Sequence, residues 1–413
     1  MDSITNANLR KLTWLACFSR CLACVALSIG PAAHAAPRQP ATDTEVLERL
    51  PLRAGDREAR ELSALRAAAA RTATDPVPAA QLAQRYFDLA AARGDPRYVG
   101  YAEAVVARFA VPLPAQLLVI RGQLRQYRHG FEEALDDFAG ALAQDPTLAS
   151  AHAWRAAIFL VQARYNAAQS ECAALQRLGR STLYGGCIGL AQAYGGQLDA
   201  AQASLLQALG ASTEADQRLW LLTRLGEVAA WRGQPALAER RYREALDLGR
   251  DDGYLLAAWN DFLLDAGRPA EVVKQLAGWE SSDPLLLRLT EAEAALGLPE
   301  AARHIQVLDD RFAAARLRGD TTHRAEEARF QLKLRGNPDA ALRLAADNYR
   351  VQREPRDARI LLEAAVAAQD AGAAAAARDW LRATGFEDSR LRQLAHASTR
   401  VSGRTAGPAS VPP

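Results

Sequence analysis

Several things that would point to chemistry or to nucleic acid are scarce in this chain. Of its 413 residues only five are cysteine and one is methionine. Lysine occurs only at Lys11, Lys274 and Lys333, so arginine carries nearly all the positive charge. Lys and Arg number 50 against 48 Asp and Glu, a formal charge of +2. That balance leaves no basic stripe to track a phosphate backbone, and no nucleic-acid partner is expected. The histidines His129, His152, His304, His323 and His396 are scattered, and no H-E-x-x-H, G-x-S-x-G or phosphate loop is present. Glu326-Glu327 beside His323 reads as a solvated helix face. Gly185-Gly186 and Gly195-Gly196 lack the strand and lysine that phosphate binding needs, and read as helix-start and turn glycines. The expectation is a non-enzyme with no catalytic residue, no metal and no cofactor.

Long apolar runs are also missing. The run at the N-terminus, 21–29, is too short for a bilayer, which takes about 20 residues. It follows Arg10, Lys11 and Arg20 and precedes Gly30-Pro31 and Ala32-Ala33-His34-Ala35-Ala36. A charged start, a short apolar middle and an A-x-A end describe a secretory signal peptide, with cleavage placed after Ala35. An uncleaved anchor is the alternative. A lipoprotein site is disfavoured by Trp14 and Cys21, which stand where an apolar residue is needed before Cys17 and Cys24. No later segment is expected to span a membrane. The mature chain is expected outside the cytoplasm, in a periplasm. With Asp2 and the three basic residues removed, it is close to neutral.

What the sequence has is a repeat. Residues 219–250 read LWLLTRLGEVAAWRGQPALAERRYREALDLGR, with Leu225-Gly226, then Gly233, Ala238, Tyr242 and Ala245. Residues 115–148 carry Gly122, Ala134, Phe138 and Ala141, and residues 149–182 carry Ala156, Phe159, Tyr165 and Ala168. The turn glycines Gly196, Gly233, Gly267, Gly297, Gly336 and Gly372 recur at steps of 37, 34, 30, 39 and 36 residues. Small residues at matched points let two helices cross closely while large ones fill the gaps. From 115 to 276 this pattern resembles the tetratricopeptide repeat, about 34 residues per helix–turn–helix unit, and more loosely from 79 to 397. The resemblance is to the exported bacterial members of that family.

The resemblance implies an all-α fold, an α-solenoid of tetratricopeptide-type repeats. The parts read as a signal peptide (1–35), a flexible lead-in (36–55), N-terminal helices with a degenerate repeat (56–114), well-matched repeats (115–284), degenerate repeats with a capping helix (285–397) and a disordered tail (398–413). In such stacks the first helix of each pair lines a concave groove. In this register the groove collects Gln123, Tyr127, Trp220, Arg224, Glu227, Trp231, Tyr254, Asp261 and Asp265, with Trp154 and Tyr194 divided between groove and core. Rigid rings among charges suit a protein or peptide partner in the cell envelope. The family's carboxylate clamp is missing: Val119, Gln123, Ala153, Ala157, Gly186 and Leu190 stand at its positions. The implied function is a periplasmic scaffold or adaptor. A chaperone-like holder of exported polypeptides is the alternative, and a glycan-acting helical toroid a lesser one. In an oxidising compartment Cys172 and Cys187, on neighbouring helices of this register, are either a bridge or two small buried hydrophobes.

Overall fold

The computed structural model describes residues 42, 56–72 and 74–400. The chain divides into two units, Met1–Arg57 and Glu58–Pro413, and the helices belong to the second save for Arg57. Twenty helices and no strand occur among the described residues. They are α1 (Arg57–Arg71), α2 (Pro76–Arg93), α3 (Arg97–Val106), α4 (Ala115–Tyr127), α5 (Phe131–Gln144), α6 (Ala149–Val161), α7 (Tyr165–Arg177), α8 (Ser181–Tyr194), α9 (Leu198–Ala211), α10 (Ala215–Trp231), α11 (Pro235–Leu246), α12 (Gly253–Asp265), α13 (Pro269–Leu276), α14 (Asp283–Leu296), α15 (Glu300–Leu317), α16 (Arg324–Lys333), α17 (Pro338–Tyr349), α18 (Pro355–Ala367), α19 (Ala375–Thr384) and α20 (Ser389–Arg400). The expected signal peptide and its cleavage point lie outside the described residues, as does the lead-in apart from Thr42 and Asp56 at its border. The expected tail starts too early at 398, because α20 continues through Arg400. No described helix is long and apolar enough to cross a membrane.

From α2 to α19 consecutive helices contact one another as nine pairs. The sequence dictates how each pair closes. A Cβ on Gly122, Gly189 or Gly226 would lie 2.6–2.7 Å from the side chain of Phe138, Leu205 or Tyr242, each sixteen residues later on the partner helix. The backbone of one helix therefore rests on a large side chain of the other, and only glycine fits there. Ala141, Ala208 and Ala245 continue the close seam on the second helices, all buried. Proline at the first or second position starts α11, α13, α14, α17 and α18, where its missing N–H costs nothing.

Turns within pairs need a left-handed residue. Gly196, Gly233, Gly267, Gly297 and Gly336 supply it with φ between 60° and 85°. Gly372 does not. There the left-handed residue is Gln369, φ 57°, three positions earlier. His129 and Ala163 fill the same role in the α4–α5 and α6–α7 turns, at 60° and 58°. The uneven period around 311–322 has its cause in α15, which is 18 residues long.

First helices of consecutive pairs touch one another from α2 to α18. The stack also returns on itself, because α2 touches α12. Glycine makes that second contact possible. A Cβ on Gly253 would sit 3.2 Å from the Ala91 carbonyl oxygen, and one on Gly94 would collide with Ser282. The fold is thus the expected all-α solenoid of tetratricopeptide-type hairpins, stacked so tightly that distant pairs meet. Cys172 on α7 and Cys187 on α8 are disulfide-bonded, with Cα atoms 5.5 Å apart.

Candidate functional site

The concave face was expected to be open to a partner. At the C-terminal ends of four first helices the chain's own C-terminal residues occupy it. The first helices α6, α8, α10 and α12 end at Val161, Tyr194, Trp231 and Asp265, and each end carries a residue from 353–390. The Val161 carbonyl accepts from the Arg353 N–H at 2.6 Å. The Tyr194 hydroxyl donates to Glu354 Oε1 at 3.0 Å. Trp231 packs on Phe386, ring centroids 5.4 Å apart. Asp265 accepts two hydrogen bonds from Arg359, both 2.8 Å, and pairs with Arg390. At the start of α7, Tyr165 accepts from the Trp380 indole N–H at 2.7 Å. Gly196 lies against the Thr384 carbonyl with no room for a side chain.

This corrects the groove reading residue by residue. Gln123 is buried, 3% exposed, and its Oε1 has no hydrogen-bond partner among the described residues. Tyr127 packs edge-on against Phe87, as does Trp154. Arg224, Glu227 and Tyr254 form one half-buried knot. Arg224 pairs with Glu227 at 2.9 Å, lies 4.1 Å over the Tyr254 ring and donates to its hydroxyl, and that hydroxyl donates to Glu227 at 2.6 Å. Burial pushes the Tyr254 phenol far above its ordinary range. Asp261 takes Arg288 and Arg329, each at 2.6 Å. Burial opposes its ionisation, yet the two guanidiniums outweigh it and hold the carboxyl below the usual carboxylate range. Tyr194 is core, 3% exposed. Of the rings expected in the groove, Trp220 is the most exposed, at 37%. Gly186 accommodates that ring, since a Cβ there would lie 2.6 Å from it. Leu183, one turn before Gly186 on α8, is 38% exposed.

A half-open pocket of about 850 Å³ lies beside these contacts. Tyr127, Tyr254, Asp261, Asp265, Arg288, Glu291, Arg329, Lys333, Asp357, Arg359 and Glu363 line it, with His129, His323, Glu326 and Arg356. Nearly all its charges are paired. Arg329 donates to Glu291 at 2.6 and 2.8 Å as well as to Asp261. Arg359 and Lys333 share Glu363, at 2.8 and 2.7 Å. Arg356 binds Glu354 at 2.7 Å. Asp357 accepts from Asn348 and from the Glu354 backbone N–H, at 2.9 and 3.0 Å. Burial raises its carboxyl, with Arg356 opposing.

Glu326 is different. Among the described residues no ion pair and no side-chain donor reaches its carboxylate, which is half-buried and takes its own backbone N–H. Burial works against its charge, but the fields of His323, Arg356 and Arg288 keep it ionised. His129 loses affinity for a proton through burial and titrates at about 4. The sequence reading of Glu326-Glu327 as a solvated face fails on both residues. Glu326 faces the pocket, and Glu327 is 7% exposed and paired with Arg316. One signal was legible: α16, RAEEARFQLK, has too few apolar residues for a stripe yet sits inside an unbroken stack. A helix polar on most faces in that position must bury charge. Among the described residues no cluster of three His, Cys, Asp or Glu side chains is placed to hold a metal ion.

No family model matches the chain, and no curated protein matches its sequence. Solved structures do resemble its fold. A chain of the APC/C hetero-tetramer Cut9–Hcn1 is 13% identical with a TM-score of 0.48, over 78% of this chain and 62% of that one. The chain thus spans less than two thirds of that relative. The human IFIT1 dimer with PPP-AAAA is 14% identical with a TM-score of 0.42, over 84% and 87%. The TPR domain of P58(IPK) is 15% identical with a TM-score of 0.23, over 83% and 93%. All three are under 25% identical to this chain, with TM-scores below 0.5.

Proposed function

We propose that this chain is an exported scaffold or adaptor of the cell envelope that holds protein partners on the part of its first-helix face left uncovered. The observation that carries this is the pair Leu183 and Trp220, exposed large apolar side chains, with Trp220 resting on Gly186, one helical turn after Leu183. Isolated exposed hydrophobes are ordinary, but a tryptophan with a guanidinium 5.5 Å from its ring suits an interface anchor. Export rests on the N-terminal charge pattern, and the disulfide is consistent with an oxidising compartment. The chaperone-like reading would need a long open apolar groove, and the covered ends of α6, α8, α10 and α12 argue against it.

The test is a photo-crosslinking amino acid at Leu183, activated in intact cells, with adducts identified by mass spectrometry. A discrete set of envelope proteins supports the reading. An absence of adducts at Leu183 and at Trp220 would remove it. A broad smear of unfolded exported chains would favour the holder instead.

A further inference from the structure

We propose that this half-open pocket is a binding site for a small organic cation bearing a primary ammonium group, with Glu326 as its counter-ion. The first ground is space. About 850 Å³ lies within the range of small-molecule sites, roughly 300–1,000 Å³. The second is an inventory of what the walls leave unused. Asp261, Asp265, Glu291 and Glu363 are each held by one or two basic groups, and Asp357 accepts two N–H bonds. Arg288, Arg329, Lys333, Arg356 and Arg359 are in turn held by those carboxylates and by Glu354. An incoming anion finds its natural partners already occupied. An incoming ammonium finds one carboxylate with no side-chain donor and no ion-pair partner.

The remaining groups suit the same ligand. An ammonium has three N–H donors and no acceptor. Glu326 can take one or two, and His129, a neutral imidazole at physiological pH, offers a ring nitrogen for another. The Tyr127 ring stands in the same wall, where a desolvated cation gains from an aromatic face. Charge-assisted hydrogen bonds of this kind are about twice as strong as neutral ones. This inference does not rest on the scaffold reading, because Leu183 and Trp220 are not in the pocket wall.

The shared chemistry has two sources, a free diamine and the N-terminus of a short peptide. Isothermal titration of the purified full mature chain would use cadaverine, tri-alanine amide and, as the anionic control, glutarate. The expected result is binding of one or both amines, no binding of glutarate, and a loss of roughly tenfold or more in E326Q. The amine that binds tells the source. Glu326→Gln keeps the side-chain shape and breaks no ion pair, so it is expected to fold, and helical circular dichroism checks this. E132Q, on an exposed carboxylate, should bind as the parent does. Three results would overturn the proposal: neither amine binds at millimolar concentration, E326Q binds the amine unchanged, or glutarate alone binds.

Discussion

At the scale of single residues, the account rests on contacts that tolerate nothing larger. Gly226 lies under the Tyr242 ring, and Tyr242 is 2% exposed. The ring cannot swing aside into solvent. Gly226→Ala should therefore destabilise the α10–α11 pair by about 1–3 kcal/mol, despite alanine's better helix propensity. Denaturant melts of G226A against G233A separate packing from propensity. At Gly233 a Cβ would meet nothing, so only the left-handed backbone, φ 69°, penalises the change.

His129 makes a pH prediction at the same scale. Its folded-state value of about 4 lies below the ordinary 6.5, so the folded chain binds fewer protons there than the unfolded one. Its contribution is fully present above pH 6.5 and is lost as pH falls toward 4. The loss has an upper bound of about 3 kcal/mol, less whatever water screens. His129→Asn keeps a residue that tolerates a φ of 60° and removes the titration. Stability of H129N between pH 6.5 and 4 should fall less steeply than that of the parent. Equal slopes would place the titrating group elsewhere.

At the scale of elements, the hairpin is the unit the sequence spells. Gly122 with Phe138 and Gly226 with Tyr242 repeat one spacing, and that spacing alone gives two helices and the distance between them. Cys172 and Cys187 fall on α7 and α8 in the same register, and the structure joins them. A bridge that closes a loop of 15 residues contributes about 3 kcal/mol by chain entropy. Because each pair mainly touches its neighbours, that contribution is local. C172S/C187S should speed amide exchange in α6–α9 and leave α16–α17 as they were. Uniform protection across the stack in both forms would show that the bridge stabilises nothing. The irregular elements were harder to read. Gln369 takes the left-handed turn that Gly372 was expected to take, and Asp370 just after it accepts from the Gly372 and Ala373 N–H groups.

At the scale of the whole described stack, what the repeat pattern hides is contact between distant pairs. A period fixes how each hairpin meets the next. It says nothing of how many hairpins pass before the chain meets itself, since that depends on small rotations summed along the stack. The meetings are written in isolated residues with no period. Gly94 and Gly253 admit the α2–α12 approach, and Arg353, Glu354, Arg359 and Arg390 reach back to the ends of α6, α8 and α12. The residues expected in the groove lie on the first helices α4, α10 and α12, and the chain's own side chains contact most of them. Trp231 and Asp265 are bound by the chain itself, while Trp220 remains exposed. Glu326 was missed because a glutamate on a polar helix looks solvated until the neighbours that bury it are known.

The most direct test of this account is whether Trp231 is covered by residues near Phe386. A photo-crosslinking amino acid at position 231 in the purified, monomeric chain, followed by peptide mapping, measures it. The account predicts an intramolecular link between α10 and the segment 380–391, with no dependence on protein concentration. A probe that stays free, or that links instead to another molecule, would mean that the first-helix face is open and would contradict the covered groove.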